Sequence, residues 1–406
     1  MSDEIYINGR NQKMMHSDYC RCGAIVDLKA IRYNVLQLKG LIGDKKLLCT
    51  VKANAYGHGA CEVANAIKDD VYMFSVATID EGVLLRTQGG IDKPVLILGP
   101  TFAGEDGNAL EFGLTETIFD VDRANALNES VNEFVADHIG KLKELPYVSK
   151  DYRAHVHIAV DTGMSRIGLT PDKDGVEAIK KISALSNIVI DGIFTHFATA
   201  DERDKTEALK AYKKFRDFKK LCTEAGISIP IWHCANTAGI IDGIGLDDDM
   251  DMVRCGIGIY GMYPSEQVDK DKVRLAPAML WYSYLTYIKE IHEGTSVSYG
   301  YTFTADRTMK IGTVCCGYAD GFPRVRSNKG RVLIGGKYCR IIGNICMDQF
   351  MVDLTGVEDA AVGMPVVLMG SDGVNSITPE EIAEEAGTIN YEITCGIAHR
   401  VPRKYV

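Results

Sequence analysis

Between Lys46 and Ile259 short apolar runs alternate with longer stretches that are polar on one face. The apolar runs cover residues 47–53, 73–78, 95–99, 115–120, 155–161, 189–195, 230–234 and 252–259, and each reads as a strand. The stretches between them, such as 122–139 and 202–225, are long enough to be helices. Eight strands alternating with helices over roughly 200–250 residues predict a (β/α)8 TIM-type barrel. A doubly wound open sheet alternates in the same way, so the count alone does not separate the two.

Beyond Pro264 the texture changes. Residues 280–291, 310–316, 331–345 and 365–369 are rich in Val, Ile, Tyr and Thr and are separated by glycine turns such as Gly335-Gly336. Few long helical patterns intervene. A second, mainly antiparallel β domain follows, with Gly294, Gly300 and Gly317 expected in its turns. The predicted organisation is a barrel over 24–264 and a β domain over 265–406, joined by residues 1–23. At 406 residues the chain also exceeds what one ordinary core organises.

Composition narrows the partners. A net charge of −10 argues against a nucleic acid or an anionic membrane. No apolar run approaches the roughly 20 residues that span a bilayer. Residues 1–17 are polar and lack the apolar core of a signal peptide, so the cytoplasm is the expected compartment. Of the twelve cysteines, Cys49, Cys255, Cys315 and Cys316 sit in apolar, strand-like runs, and no pair has C-x2-C spacing. Reduced thiols acting as small hydrophobes are expected.

Candidate chemistry concentrates at the predicted strand ends. Val51-Lys52-Ala53-Asn54-Ala55-Tyr56-Gly57-His58-Gly59 closes the first strand with one lysine in an apolar setting. Burying an ammonium is costly unless its pKa falls or a partner compensates, and a Schiff-base lysine resolves the conflict. On spacing alone a lysine snorkelling from the strand end explains the segment better. Strand five runs into Asp161-Thr162-Gly163-Met164-Ser165-Arg166, strand six into Thr195-His196, strand seven into His233-Cys234-Ala235-Asn236-Thr237, and strand eight into Arg254-Cys255-Gly256-Ile257. Barrels often bind phosphate with the last two of these loops. Thr237 offers a hydroxyl there, and Gly256 lets its own and neighbouring N–H groups approach an anion.

Three other patterns lead elsewhere. Gly256 to Gly261 matches G-x-G-x-x-G, but it ends the alternating region and Pro264 interrupts early, so the dinucleotide sense fails. His155-x-His157 lacks a third metal ligand and reads as exposed or hydrogen-bonded core histidines. The acidic run 247–251 lacks calcium-loop spacing. No metal is expected.

The strand-end segments, with Ser298-Tyr299-Gly300, Gly317-Tyr318-Ala319-Asp320-Gly321, Cys346-Met347-Asp348-Gln349, Asn390-Tyr391-Glu392 and Arg400-Val401-Pro402-Arg403, resemble the alanine racemase family over nearly the whole chain. The resemblance implies pyridoxal 5'-phosphate on Lys52, which also acts as one base. Tyr299 from a second subunit is the base on the opposite face, so a homodimer with a composite site is implied. Tyr56, Thr237, Gly256, Ile257 and Tyr391 would surround the phosphate, with Asn236 on the same loop. Arg254 would face the pyridine nitrogen, and Arg166 the phenolic oxygen and the substrate carboxylate. His196 would assist Tyr299, and Met347 would meet the carboxylate through its backbone. Tyr318 and Arg324, with Asp201, resemble a substrate corridor.

Free lysine and tyrosine titrate near 10, so both bases need tuning to work near neutral pH. An arginine at the pyridine nitrogen contradicts a decarboxylase, which would place a carboxylate there. A serine or broader-specificity racemase and a non-catalytic cofactor-binding protein remain as alternatives. Two departures stand out. Ala159 replaces a lysine that many members carbamylate to orient the active-site arginine, and Asn344 replaces a corridor arginine.

Overall fold

A computed structural model describes residues 21–406 in full. Of the first twenty it describes the backbone of two short antiparallel strands, Glu4–Ile7 and Arg10–Lys13. The expectation that residues 1–23 join the β domain therefore lies largely outside the described residues. The chain divides into two compact units, Ile31–Ala55 with Ala60–Leu275, and Met1–Ala30 with Tyr56–Gly59 and Ala276–Val406.

The first unit holds eight parallel strands: Lys46–Thr50, Met73–Val76, Val95–Ile97, Glu116–Ile118, Ala154–Ala159, Ile188–Phe194, Ile231–His233 and Met252–Cys255. The eighth lies beside the first, from Met252 opposite Lys46 to Cys255 opposite Cys49. The third and fourth meet through the bridge between Leu96 and Thr115. An open doubly wound sheet has no such closure, so the sheet is a barrel. Leu48, Met73, Leu96, Ile231 and Met252 form a buried apolar cluster contributed by five of its strands. Full burial of such side chains contributes roughly 1.5–3 kcal/mol each.

All eight predicted strands are present, but several stop short. The run 47–53 leaves the sheet after Thr50, and the run 252–259 leaves it after Cys255. The apolar residues beyond these points are buried in tight turns instead, Ile257–Tyr260 being one turn of 3-10 helix. Periodicity reports burial and does not distinguish a ladder from a packed turn. The predicted helices appear as Val121–Asp137 and Thr206–Glu224. Asp120 opens the former by accepting the Arg123 N–H at 2.6 Å.

The second unit is built on a nine-stranded sheet. Cys22–Val26 pairs antiparallel with Met279–Ile291 and parallel with the C-terminal strand Arg403–Tyr405. The predicted run 331–345 is two strands, Arg331–Ile334 and Lys337–Ile342, turned by Gly335 and Gly336 at φ 56° and 75°. Two consecutive positive φ values are what a two-residue hairpin needs. Gly317 opens the 3-10 turn Tyr318–Asp320, in keeping with its expected place in a turn, but not with a left-handed backbone. Its φ is −155°, and its missing side chain makes room for the carbonyls of Met347 and Cys346, 2.3 and 2.4 Å from where a Cβ would sit. Among the described residues no helix is long and apolar enough to cross a membrane, and Cys49, Cys255, Cys315 and Cys316 are free thiols.

Candidate active site

Lys52 stands two residues past the first barrel strand, where the chain changes hand. Ala53, Asn54, Ala55 and Tyr56 have φ of 51°, 52°, 53° and 53°. A left-handed turn of non-glycine residues costs roughly 1–2 kcal/mol per residue, and strain of this kind collects at functional sites. Hydrogen bonds from neighbouring residues help to hold it. The Ala55 N–H donates to Val51 O at 2.8 Å, Asn54 Oδ1 accepts the Ala60 N–H at 3.0 Å, and Glu81 Oε1 accepts the Ala53 N–H at 2.6 Å.

Arg254, at the end of strand eight, is buried and organises the neighbouring strand ends. Its Nη1 donates to His233 Nδ1 at 2.9 Å and His233 O at 3.2 Å. Its Nη2 donates to Thr195 O at 2.7 Å, Cys234 O at 3.1 Å and His196 Nδ1 at 3.1 Å. The guanidinium also lies 5.2 Å from the Phe194 ring. A guanidinium only donates, so both imidazole Nδ1 atoms accept, and both rings are neutral with hydrogen on Nε2. His233 Nε2 then donates to His157 Nδ1 at 2.8 Å, which fixes the same tautomer in His157. A glycine on the adjacent strand makes room for that ring: a Cβ at Gly192 would lie 2.6 Å from it.

Electrostatics agree that the rings are neutral. Burial, then the charges of Arg254, Arg166 and Lys52, push His196 down to about 3. Burial pushes His157 down to about 4 and His233 well below its ordinary range, with Arg254 adding to both. Arg254 itself is lowered by burial to about 10 and stays cationic at neutral pH.

The loops after strands seven and eight meet. Asn236 caps the helix Thr237–Asp242 by accepting the Gly239 N–H at 3.0 Å. Thr237 Oγ1 accepts the Gly256 N–H at 3.0 Å. Gly256 therefore spends its own N–H within the protein. The N–H groups that open the Ile257–Tyr260 turn have no preceding helical turn to serve. Arg166 is exposed on the loop after strand five. Asp161 Oδ1 shapes that loop by accepting the Gly163 and Ser165 N–H groups at 2.9 and 3.0 Å. Ala159 is buried and presents only a methyl group.

In the second unit the Tyr56 and Tyr391 rings lie 6.0 Å apart. Tyr299 sits in a tight turn among Ser298, Gly300 and Tyr301 at φ 67°, 71° and 49°, and is 72% exposed. Asn344 donates from Nδ2 to Tyr299 O at 2.7 Å. Ser298 Oγ lies 3.5 Å from Cys346 Sγ, Tyr318 N–H donates to Cys346 O at 3.1 Å, and Ala319 N–H to Met347 O at 3.0 Å. The Cys346–Met347 backbone thus meets the turn from Tyr318, and the Cys346 side chain meets Ser298, the residue before Tyr299. Arg324 is exposed. On the barrel unit, the Asp201 carbonyl accepts a hydrogen bond from Ser265 Oγ.

Glu81 was not singled out from the sequence, although Thr78-x-x-Glu81 has capping-box spacing. His157 was read only as half of a metal-like pair. Its fellow, His155, bonds Asp191 at 2.8 Å and Ser149 at 3.0 Å.

A closed barrel with a strained turn and an arginine–histidine network at the C-terminal ends of its strands, together with a β domain, defines a two-domain barrel enzyme. Residues 26–264 match the model for "Alanine racemase, N-terminal domain", and residues 278–405 that for "Alanine racemase, C-terminal domain". Alanine racemase of Clostridium perfringens is 39% identical over 384 residues, 94% of each chain. Alanine racemase 2 of Caldanaerobacter subterraneus is 42% identical over 384 residues, again 94% of each. The solved alanine racemase of Clostridium difficile superposes with a TM-score of 0.87 at 37% identity, covering 96% of each chain. That of Bacillus anthracis with bound L-Ala-P gives 0.83 at 33% identity, covering 96% of this chain and 95% of that one. The chain belongs to the alanine racemase family.

Proposed function

We propose that the protein interconverts L- and D-alanine, with pyridoxal 5'-phosphate on Lys52 and a second base, Tyr299, supplied by a second copy of the chain. The observation that carries this reading is the Arg254 network. Among the described residues its five hydrogen bonds come from the two terminal nitrogens, which leaves Nε–H as the donor for an aromatic ring nitrogen. The other donors fit the same cofactor. The Thr237 hydroxyl, the turn from Gly256 and Ile257, and Tyr56 with Tyr391 suit a phosphate, and Asn236 fixes the loop that carries Thr237.

When bound, the cofactor stabilises negative charge developing at the α-carbon of the amino acid. Arg254 offers a hydrogen bond but gives up no proton, which limits that stabilisation and favours return of the α-proton over other bond losses. Lys52 and Tyr299 act as the two bases on opposite faces. His196 is held neutral by Arg254, so its Nε2–H is a fixed donor for the Tyr299 oxygen. Arg166 adds positive charge to the site and binds the substrate carboxylate together with the Met347 backbone, and Tyr318 lines the approach.

Supply of Tyr299 from a second copy is supported by exposure, since Tyr299 and Met347 are 72% and 53% exposed side chains awaiting cover. Mixing inactive Lys52→Ala and Tyr299→Phe chains tests this. Random reassociation makes half the dimers hybrid with one intact site in two, so about a quarter of wild-type activity returns. No recovery after verified subunit exchange would place both bases on one chain.

A further inference from the structure

Four consecutive left-handed residues persist only where their surroundings over-determine them. Asn54 and Val51 secure the middle of the turn after Lys52. Its first residue, the one bonded to Lys52, is secured by Glu81. One carboxylate oxygen accepts the Ala53 N–H at 2.6 Å, and the other accepts the Ala77 N–H at 2.7 Å. Ala77 directly follows the second barrel strand, Met73–Val76, which pairs with the first from Leu48 opposite Met73 to Thr50 opposite Ser75. A single carboxylate therefore ties together the ends of two adjacent strands, through two charge-assisted hydrogen bonds.

The local sequence gives this residue a second employment. Thr78 caps the helix Ile79–Thr87, its Oγ1 accepting the Glu81 N–H at 3.3 Å. In a capping box the glutamate would return to the N–H of the cap residue. Here the carboxylate passes Thr78 and reaches Ala77 and Ala53 instead. The start of a helix is thereby anchored to the residue beside Lys52.

We propose that Glu81 is a positioning residue for Lys52, its carboxylate clamping Ala53 to Ala77 and so holding the left-handed turn that aims the Lys52 amine. The assignment rests on Lys52 being the cofactor-bearing base. Both carboxylate oxygens are occupied by backbone N–H groups, so loss of the clamp acts on the direction of the amine. Misdirection of a base slows turnover and leaves other substrate contacts in place. Glutamine has the shape of glutamate but one acceptor oxygen, and its NH2 group opposes one of the two N–H donors.

Hydrogen exchange at single-residue resolution and steady-state kinetics on the loaded enzyme test the clamp, with exchange repeated on the cofactor-free protein. In the wild type the Ala53 amide, although on an exposed residue, exchanges at least about 100-fold more slowly than a free peptide. In Glu81→Gln protection at Ala53 and Ala77 falls at least about tenfold in both samples. Its kcat falls about 10- to 100-fold, while KM for alanine changes less than about threefold. Glu81→Ala moves the same quantities further. Free-peptide exchange at Ala53 in the wild type, a result that needs no variant to fold, overturns the proposal. So does a Glu81→Gln kcat within about twofold of wild type. Peptide mapping after borohydride reduction of the wild type reads the underlying assignment separately. Cofactor on a lysine other than Lys52 removes the positioning role, whatever exchange at Ala53 shows of the clamp itself.

Discussion

Glu116 is a buried acid whose titration links pH to stability. It is buried beside Asp106, and the Arg123 guanidinium serves both, reaching Glu116 Oε2 at 2.6 Å and Asp106 Oδ2 at 3.1 Å. Thr101 Oγ1 donates to the same Glu116 oxygen, while Oε1 has no partner among the described residues. Burial, reinforced by the Asp106 charge, raises Glu116 from an ordinary 4.5 to about 7 against the pull of Arg123 and Thr101. Between these values the folded chain keeps a proton that the unfolded chain releases. The stabilisation is therefore complete below pH 4.5 and is lost as pH rises through 7. A shift of that size corresponds to about 3 kcal/mol. Glu116→Gln keeps the shape and removes the titration. Urea unfolding of both proteins at pH 5 to 8, at fixed protein and cofactor concentration, is the assay. The wild type should lose about 2.5 kcal/mol relative to the variant across that range. Parallel curves, or a wild type that gains with pH, would show that Arg123 keeps Glu116 ionised and refute the reasoning.

Three further outcomes concern the site. Tyr299→Phe should keep the visible absorption of the bound cofactor and lose at least about 100-fold in racemisation, measured by polarimetry. Arg254→Lys places an ammonium where burial lowers the arginine from 12.5 to about 10. A lysine with a free value near 10.4 and a similar shift titrates near 8, so the kcat profile gains a limb near pH 8 that wild type lacks. Asn344→Ala removes the donor to the Tyr299 carbonyl, a hydrogen bond contributing about 1 kcal/mol. Its kcat/KM for alanine should fall about fivefold, and an unchanged value would show that Ser298 alone holds the turn.

The barrel was legible because its strands are short, apolar and separated by amphipathic helices. Strand ends were not, because Val51 and Ile257 are as buried in turns as they would be in a ladder. Lys52 and Arg254 were visible as polar residues at strand ends, but a strand-end position alone favours a snorkelling lysine, and their proposed roles came from the family resemblance. His157 was hidden by its neighbour, since His155-x-His157 invites a metal reading while the bond that matters runs to His233, 76 residues away. Glu81 was hidden for a different reason. Its capping-box spacing has a sufficient local explanation, and nothing in the chain announces that its carboxylate reaches Ala53. Asn344 was visible only as a departure, and its bond to the Tyr299 backbone depends on a turn formed 45 residues earlier.

The central claim is tested most directly by following the α-proton of L- and D-alanine in deuterated water by proton NMR, with L- and D-serine in parallel. Deuterium should enter alanine from both enantiomers, with each converting to the other, and should enter serine more slowly. No exchange with either alanine enantiomer, in protein shown to carry the cofactor, would contradict the account.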